Sequence, residues 1–329
     1  MQTADQTDAA VAAAQAGDEA AFSGLVERYR PELQVHCYRM LGSFEDSEDL
    51  TQETFLRAWR KRRGFKGKSS FRAWLYRIAT NACLDALARR PRRVLPHSEV
   101  PWLQPYPDEL LDEVSATDAG PDDVVVSKET IELAFLVAIQ HLSPKQRAVL
   151  ILRDVLGWSA KDTASLLETS VASVTSALQR ARATLKRHLP VRRDDWSAES
   201  NPTSGEQALV KRYIEATERL DTDALLLMLS EDARFSMPPE PGVWVGRDTI
   251  VASWLEGGFG CGDYQDFRCT LTHANRQPAV ANYVRRPGDS DYRALAVDML
   301  RIEGDAVAEI ITFGPGVFAT LGLPPKLSA

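Results

Sequence analysis

Apolar residues recur every three or four positions through two long stretches of the chain. Phe71, Trp74, Leu75, Ile78 and Ala82 are spaced as one face of a helix. Val171, Val174, Leu178, Ala181 and Leu185 repeat in the same way, which predicts a core-facing stripe on another helix. Residues 8–93 and 128–189 therefore read as two helical domains. Between them, residues 94–127 carry Pro96, Pro101, Pro105, Pro107 and Pro121, which helix interiors exclude. That span reads as an acidic, proline-rich linker with one short turn at Glu109–Glu113. Residues 191–204 read as a second linker. From residue 205 the period changes. Helices near 206–219 and 222–230 precede β-type runs near 234–237, 267–272, 279–285, 292–302 and 307–313, interrupted by a helix near 248–256. Helices followed by mostly consecutive strands predict an α+β domain over 205–329.

Helix starts are written into the second helical domain. Ser143-Pro144-Lys145-Gln146 is a capping box with proline at the first helical position. Ser159 with Asp162 caps the next helix, and Thr169-Ser170 opens a third. A short helix, a tight turn and a polar-faced helix form the pattern of a helix-turn-helix. Ser173, Thr175, Ser176, Gln179, Arg180 and Arg182 lie off the apolar stripe. Hydroxyls and amides can read base edges, and arginines can reach phosphates or guanine.

Charge sharpens this picture. The formal net charge is −7, yet Arg57–Arg93 alone carries +12 and Lys145–Arg193 carries +7, while Val94–Phe135 carries −9. Two basic blocks around an acidic connector suit two contacts with a polyanion; two solvated helix faces would also produce them. In the first block aromatics interleave with cations from Phe55 to Ile78, a chemistry suited to unstacked bases. Most of those aromatics fall on the core stripe. What the core leaves over is the loop Gly64–Ser70, with Phe65, Lys66, Gly67, Lys68, Ser69 and Ser70 between two helices, and Asn81, whose amide can read a base edge. Upstream, Gln52, Glu53, Arg57 and Arg60 leave a long polar stripe suited to a partner protein, although the acids at the helix start and the Glu53–Arg57 i,i+4 pair are those of a capped surface helix.

The length, 329 residues, favours two or three domains. Hydrophobic residues at 44% and charged residues at 26% exclude wholesale disorder. The longest apolar run, Leu133–Ile139, is far short of a membrane span. The start has neither a basic nor an apolar signal region, so a cytoplasmic protein is expected. The four cysteines and five histidines show no metal spacing, and neither a metal nor a cofactor is expected.

Three blocks carry a family resemblance: Asp46–Arg60 (DSEDLTQETFLRAWR), Phe65–Asp85 (FKGKSSFRAWLYRIATNACLD) and Leu142–Arg182. In this order they resemble the bacterial extracytoplasmic-function sigma factors over about residues 8–190. The resemblance implies that 8–93 is the region 2 domain and 128–190 the region 4 helix-turn-helix. It implies that Asp49, Gln52, Glu53 and Arg57 bind core RNA polymerase. It also implies that Phe65–Ser70, Arg72, Arg77 and Asn81 bind the −10 element, and that the face from Ser173 to Arg182 reads the −35 element. Many members are basic where this chain has Thr175 and Ala177, so its reading helix is less cationic.

Residues 205–329 resemble, more loosely, the SnoaL-like group with its nuclear transport factor 2-like cone fold. The carrying residues are Tyr213–Asp232, Met237-Pro238-Pro239 and Gly246–Ile250. The implied fold is thus multidomain, two all-α sigma domains plus an α+β cone. Sigma factors so fused carry a Trp-Leu-Pro-type linker motif, which Pro101–Pro105 resembles, and their extra domain is thought to modulate activity. Trp102, Leu103 and Tyr106 are large apolar groups in an acidic stretch that cannot bury them alone, which suggests that the C-terminal domain packs against the N-terminal sigma domain or the 94–127 linker. Trp244, His273, Tyr283 and Asp298 are candidate pocket residues. Asp298 among apolar neighbours invites a reading as a buried base, but no catalytic constellation accompanies it. A stand-alone repressor using only the helix-turn-helix would leave the basic aromatic block without a task.

Overall fold

The computed structural model describes residues 2–67, 69–89, 103–116, 131, 133–188, 203–240, 242–257, 259 and 266–328. The chain divides into two compact units, one of Met1–Arg93 with Glu109–Leu189 and one of Val94–Asp108 with Pro190–Ala329.

The first unit is helical. It contains α1 (Gln2–Ala16), α2 (Glu19–Leu41), α3 (Phe44–Lys61), α4 (Phe71–Arg89), α5 (Asp108–Ala116, entered from the second unit), α6 (Leu133–Gln140), α7 (Pro144–Leu150), α8 (Ala160–Leu166) and α9 (Val171–His188). Asp18 and Ser43 cap α2 and α3 by accepting from Ala21 N–H and Asp46 N–H. Gly42, at φ 72°, closes α2 in the left-handed conformation and returns its N–H to Tyr38 O. Leu33, Val35, Met40, Leu75, Ala79 and Ala82 fill the core between α2 and α4. His36 is buried there against Thr80 Oγ1 at 2.9 Å, and burial pulls its pKa down to about 3.

The expected caps of the second helical domain form. Ser143 and Gln146 make a reciprocal capping box, and Ser159 accepts from Asp162 N–H. Val174, Leu178, Ala181 and Leu185 are buried on α9. Val171, expected in that stripe, is 48% exposed; it is the first residue of the helix, one turn short of the bundle. Arg147 on α7 is buried and donates to the carbonyls of Ile139 (3.0 Å), Gln140 (3.1 Å), Leu142 (3.4 Å) and Met40. The last is in the final turn of α2, so this guanidinium ties the two helical domains together.

The second unit contains α10 (Ser204–Glu218), α11 (Thr222–Met228), β1 (Leu229–Ser236), β2 (Val243–Val245), α12 (Arg247–Glu256), β3 (Asp266–Ala274), β4 (Gln277–Arg285), β5 (Asp291–Glu303), β6 (Ala306–Phe313) and β7 (Lys326–Ser328). The sheet runs β2-β1-β6-β5-β4-β3, with β7 also pairing β5. Among the described strands only β1 and β6 pair in parallel. Side chains of α10, α11 and α12 share one apolar core with inward positions of β1, β4, β5 and β6. The short strands β2 and β7 carried no signal, because three residues are too few for a period to show.

Part of the first linker is a structural member of this unit. Leu103, Pro105, Tyr106 and Pro107 are buried. Tyr106 N–H donates to Asn275 Oδ1 at 2.8 Å, and Asn275 N–H donates back to Tyr106 O at 2.9 Å. Pro107 bridges Ala274, and Arg276 N–H donates to Asp108 Oδ1 at 2.8 Å. Asn275 and Arg276, at φ 53° and 58°, form the two-residue turn between β3 and β4, where left-handed conformers match the hairpin twist. Trp102 lies outside the described residues. Asn275→Ala removes the buried acceptor and puts alanine into the left-handed region, at a cost of about 1–3 kcal/mol. Hydrogen exchange of the Tyr106 amide should then accelerate about tenfold or more; unchanged protection would refute this anchoring role.

Candidate nucleic-acid interface

The polar stripe of α3 is intact on the surface. Asp49 and Gln52 are exposed, and Glu53 and Arg57 are half-buried. Arg57 Nε donates to Glu53 at 2.7 Å, which holds the Glu53 carboxyl below its ordinary value, and Asp85 lies 3.8 Å from the same guanidinium. Leu56, 51% exposed, sits among them. Sequence reasoning passed over it; the signal was a leucine on an otherwise polar helix face.

The loop after α3 is held at both ends. The Phe65 ring lies 5.6 Å from Phe71 and 5.2 Å from Trp74, so it anchors the loop. Lys66, Gly67, Ser69 and Ser70 are exposed, and Gly67 takes φ +66°. Ser70 Oγ accepts from Ala73 N–H and starts α4. Lys68 lies outside the described residues. Beyond the loop the three polar candidates separate. Arg72 is committed to Glu32, with contacts of 2.6 and 2.8 Å on a half-buried carboxylate that also accepts from Tyr76 O–H. Arg77 donates to Ser165 O at 3.1 Å in α8, and nearby Trp158 packs on Tyr76 with ring centroids 5.5 Å apart. Asn81 is exposed, one turn from Arg77 on the same face.

On α9, Ser173, Thr175, Ser176, Gln179, Arg180 and Arg182 are all exposed. Their freedom differs. Thr175 Oγ1–H donates to Val171 O at 3.0 Å. Arg182 is paired through two nitrogens with Asp154 at 2.7 and 2.8 Å. Ser176, Gln179 and Arg180 have no side-chain partner among the described residues. An amide and a guanidinium on adjacent exposed positions are the donors that major-groove edges accept.

The four pocket candidates have separate partners. Trp244 belongs to an aromatic cluster with Phe235 and Trp254. His273 is exposed on β3. Tyr283 is buried against Phe318 and donates to Pro324 O at 3.0 Å. Asp298 is buried and accepts from Thr312 Oγ1 (2.5 Å), Asn282 Nδ2 (2.7 Å) and Tyr213 Oη (3.1 Å). Tyr283 follows Asn282 in β4 and so points to the opposite sheet face. Tyr213 and Asn282 were missed because their role exists only through Asp298. A carboxylate with three donors is a satisfied structural group. Among the described residues no group of three His, Cys, Asp or Glu side chains could hold a metal ion, and no helix is long and apolar enough to cross a membrane.

Burial pushes the Asp298 carboxyl above its ordinary value, against the pull of its three donors. Its stabilising contribution is therefore complete below the unfolded value and is lost as pH rises through the folded one. The melting-temperature difference between wild type and Asp298→Asn should move in favour of wild type as pH falls from 7 toward 4. A difference that stays flat over this range would reject the assignment.

Three family models match the chain: Sigma-70 region 2 over residues 25–93, Sigma-70 region 4 over 132–185, and a SnoaL-like domain over 210–310. The chain is 42% identical over 325 residues to the ECF RNA polymerase sigma factor SigG of Mycobacterium tuberculosis, covering 93% of this chain and 85% of that one. It is 31% identical over 173 residues to the ECF RNA polymerase sigma factor SigW of Bacillus subtilis, covering 53% of this chain and 91% of that one. Among solved structures, the extracytoplasmic-function sigma factor SigJ of Mycobacterium tuberculosis matches with a TM-score of 0.63 at 21% identity, covering 92% of this chain and 100% of that one; at this identity the likeness concerns the fold.

Proposed function

The chain belongs to the ECF RNA polymerase sigma factors, and from that premise we propose how its surfaces divide the work of initiation. It is a transcription initiation factor and not an enzyme. The α3 stripe of Asp49, Gln52, Leu56, Glu53 and Arg57 docks on core RNA polymerase in the cytoplasm. The loop from Phe65 to Ser70, together with Asn81, takes up an unstacked base of the −10 element. Phe65 fixes the loop, and Lys66 with the serines lines the site. Arg77 joins them by exchanging the Ser165 carbonyl for phosphate. On α9, Ser176, Gln179 and Arg180 read the −35 element in the major groove, flanked by Ser173 and Thr175. Arg182 serves as a phosphate contact when it leaves Asp154. The SnoaL-like domain modulates activity through its hold on the linker at Leu103–Asp108, with Trp102 just upstream.

The observation that carries this reading is the uncommitted Gln179–Arg180 pair on the exposed face of α9, within a chain whose two basic blocks suit contacts with a polyanion. The test is run-off transcription by the full-length protein with core RNA polymerase, on promoters selected from genomic DNA. Initiation that needs both components is the expected result. Specific binding without polymerase, and no initiation with it, would favour a stand-alone DNA-binding protein.

A further inference from the structure

The helix α1 precedes the span matched to Sigma-70 region 2, which begins at residue 25. It is nevertheless built into the unit. Val11 and Ala14 are buried. Gly17, at φ +108°, lets the chain reverse into α2, with Gly17 N–H on Ala14 O and Asp18 N–H on Ala13 O. This packing brings the half-buried Gln15 to the far end of α3. Its Nε2 donates to Phe65 O at 2.7 Å and approaches Arg62 O at 3.4 Å. The first of these carbonyls belongs to the residue just after the 3-10 turn Arg62–Gly64 that follows α3, and the second to the turn's first residue. A helix end leaves carbonyls that need donors, and a primary amide supplies two N–H groups from one side chain. The Arg62 guanidinium itself lies over Trp59, 3.7 Å from the ring centroid, and donates to Trp59 O at 2.8 Å.

We propose that Gln15 is a positioning residue for −10 recognition: by holding the Phe65 carbonyl it fixes where the base-capturing loop leaves α3. The proposal rests on the assignment of that loop to the −10 element. At its entry the loop is fixed twice, by Gln15 through the backbone and by Phe71 and Trp74 through the Phe65 ring. At its exit Ser70 caps α4. Only the short exposed stretch between remains to shape itself around a base. Holding the loop in one shape supports discrimination, because a loop free to take other shapes can rearrange around a wrong base, whereas a fixed one meets it with clashes or unpaired groups. Gln15 itself touches no DNA in this scheme, so its loss should alter selectivity more than overall binding.

Gln15→Leu keeps the volume and removes both donors. Gln15→Glu keeps the shape and turns an acceptor toward two carbonyls. With full-length protein and core polymerase, initiation is measured on paired promoters that differ only at the base captured from the −10 element. Each folded variant should lose about fivefold in the ratio between the two promoters, the worth of one such hydrogen bond. Affinity for core polymerase should stay at the wild-type value. An unchanged ratio in a folded variant overturns the proposal, as does an equal loss on both promoters. If neither variant folds, Gln15 is a stability residue and the proposal is also wrong. Absence of polymerase-dependent initiation by wild type would instead overturn the assignment of the loop, and the role of Gln15 with it.

Discussion

Arg147→Ala should lower the melting temperature of the helical unit by about 10 °C. Arg147 is 4% exposed, and its guanidinium fans its nitrogens over the carbonyls of Ile139, Gln140, Leu142 and Met40. Burial pulls its pKa down to about 10, so it stays charged at neutral pH. Alanine removes every one of these donors at once and leaves buried carbonyls without them, although the Ile139 carbonyl keeps the Leu142 N–H at 3.1 Å. Each buried orphan costs about 1–3 kcal/mol. Partial relaxation brings the sum to about 3–5 kcal/mol, comparable to breaking other buried charged networks. At about 2–4 °C per kcal/mol for a unit of this size, the stated shift follows. Arg147→Lys should be milder, because one ammonium retains part of the donation but cannot span the set. Thermal unfolding followed by circular dichroism reads both. A loss below about 2 °C in the alanine variant would mean that the carbonyls are satisfied in another way.

The second large effect belongs to α9. Replacing Gln179 and Arg180 together by alanine should reduce initiation at a −35-dependent promoter by about tenfold to a hundredfold, since each good base contact is worth about 1–3 kcal/mol. Both side chains face solvent without a protein partner among the described residues, so nothing in the fold should suffer and the melting temperature should hold. Thr175→Ala should cost much less, because its hydroxyl hydrogen is already given to Val171 O. If Arg180 contacts phosphate instead, its loss lowers the salt slope of binding by about 0.9 and weakens all sequences alike. Measuring binding of the polymerase complex at several salt concentrations separates the two. A Thr175→Ala defect larger than that of Gln179→Ala would refute this division of the helix face.

Much of the first unit could be read from local signals. The capping box at Ser143 and Gln146, the cap at Ser159 and the apolar stripe of α9 act over three or four residues, which a sequence displays directly. The two basic blocks were equally visible, and so were the three motif blocks that carried the family. The separation of the cations into free and committed was not. Arg72 looks like one more phosphate contact, yet Glu32, 40 residues away in sequence, takes its guanidinium. Arg147 looks like part of a basic block, yet it is internal. Phe65 looks like a base-stacking ring, yet it packs with Phe71 and Trp74.

By itself, then, the sequence determined where helices start and stop, which face of each is apolar, how charge is segregated and which family the pattern belongs to. All of these depend on neighbours within a few residues or on composition. The sequence showed that Leu103 and Tyr106 need cover, but tertiary structure alone decided that Tyr106 would pair with Asn275, 169 residues further on. It alone decided the three donors that surround Asp298, and the grip of Gln15 on the loop carbonyl. The physical reason is that desolvation and hydrogen-bond satisfaction belong to a place in space. The residues that meet there share no period, spacing or composition by which the chain could announce them.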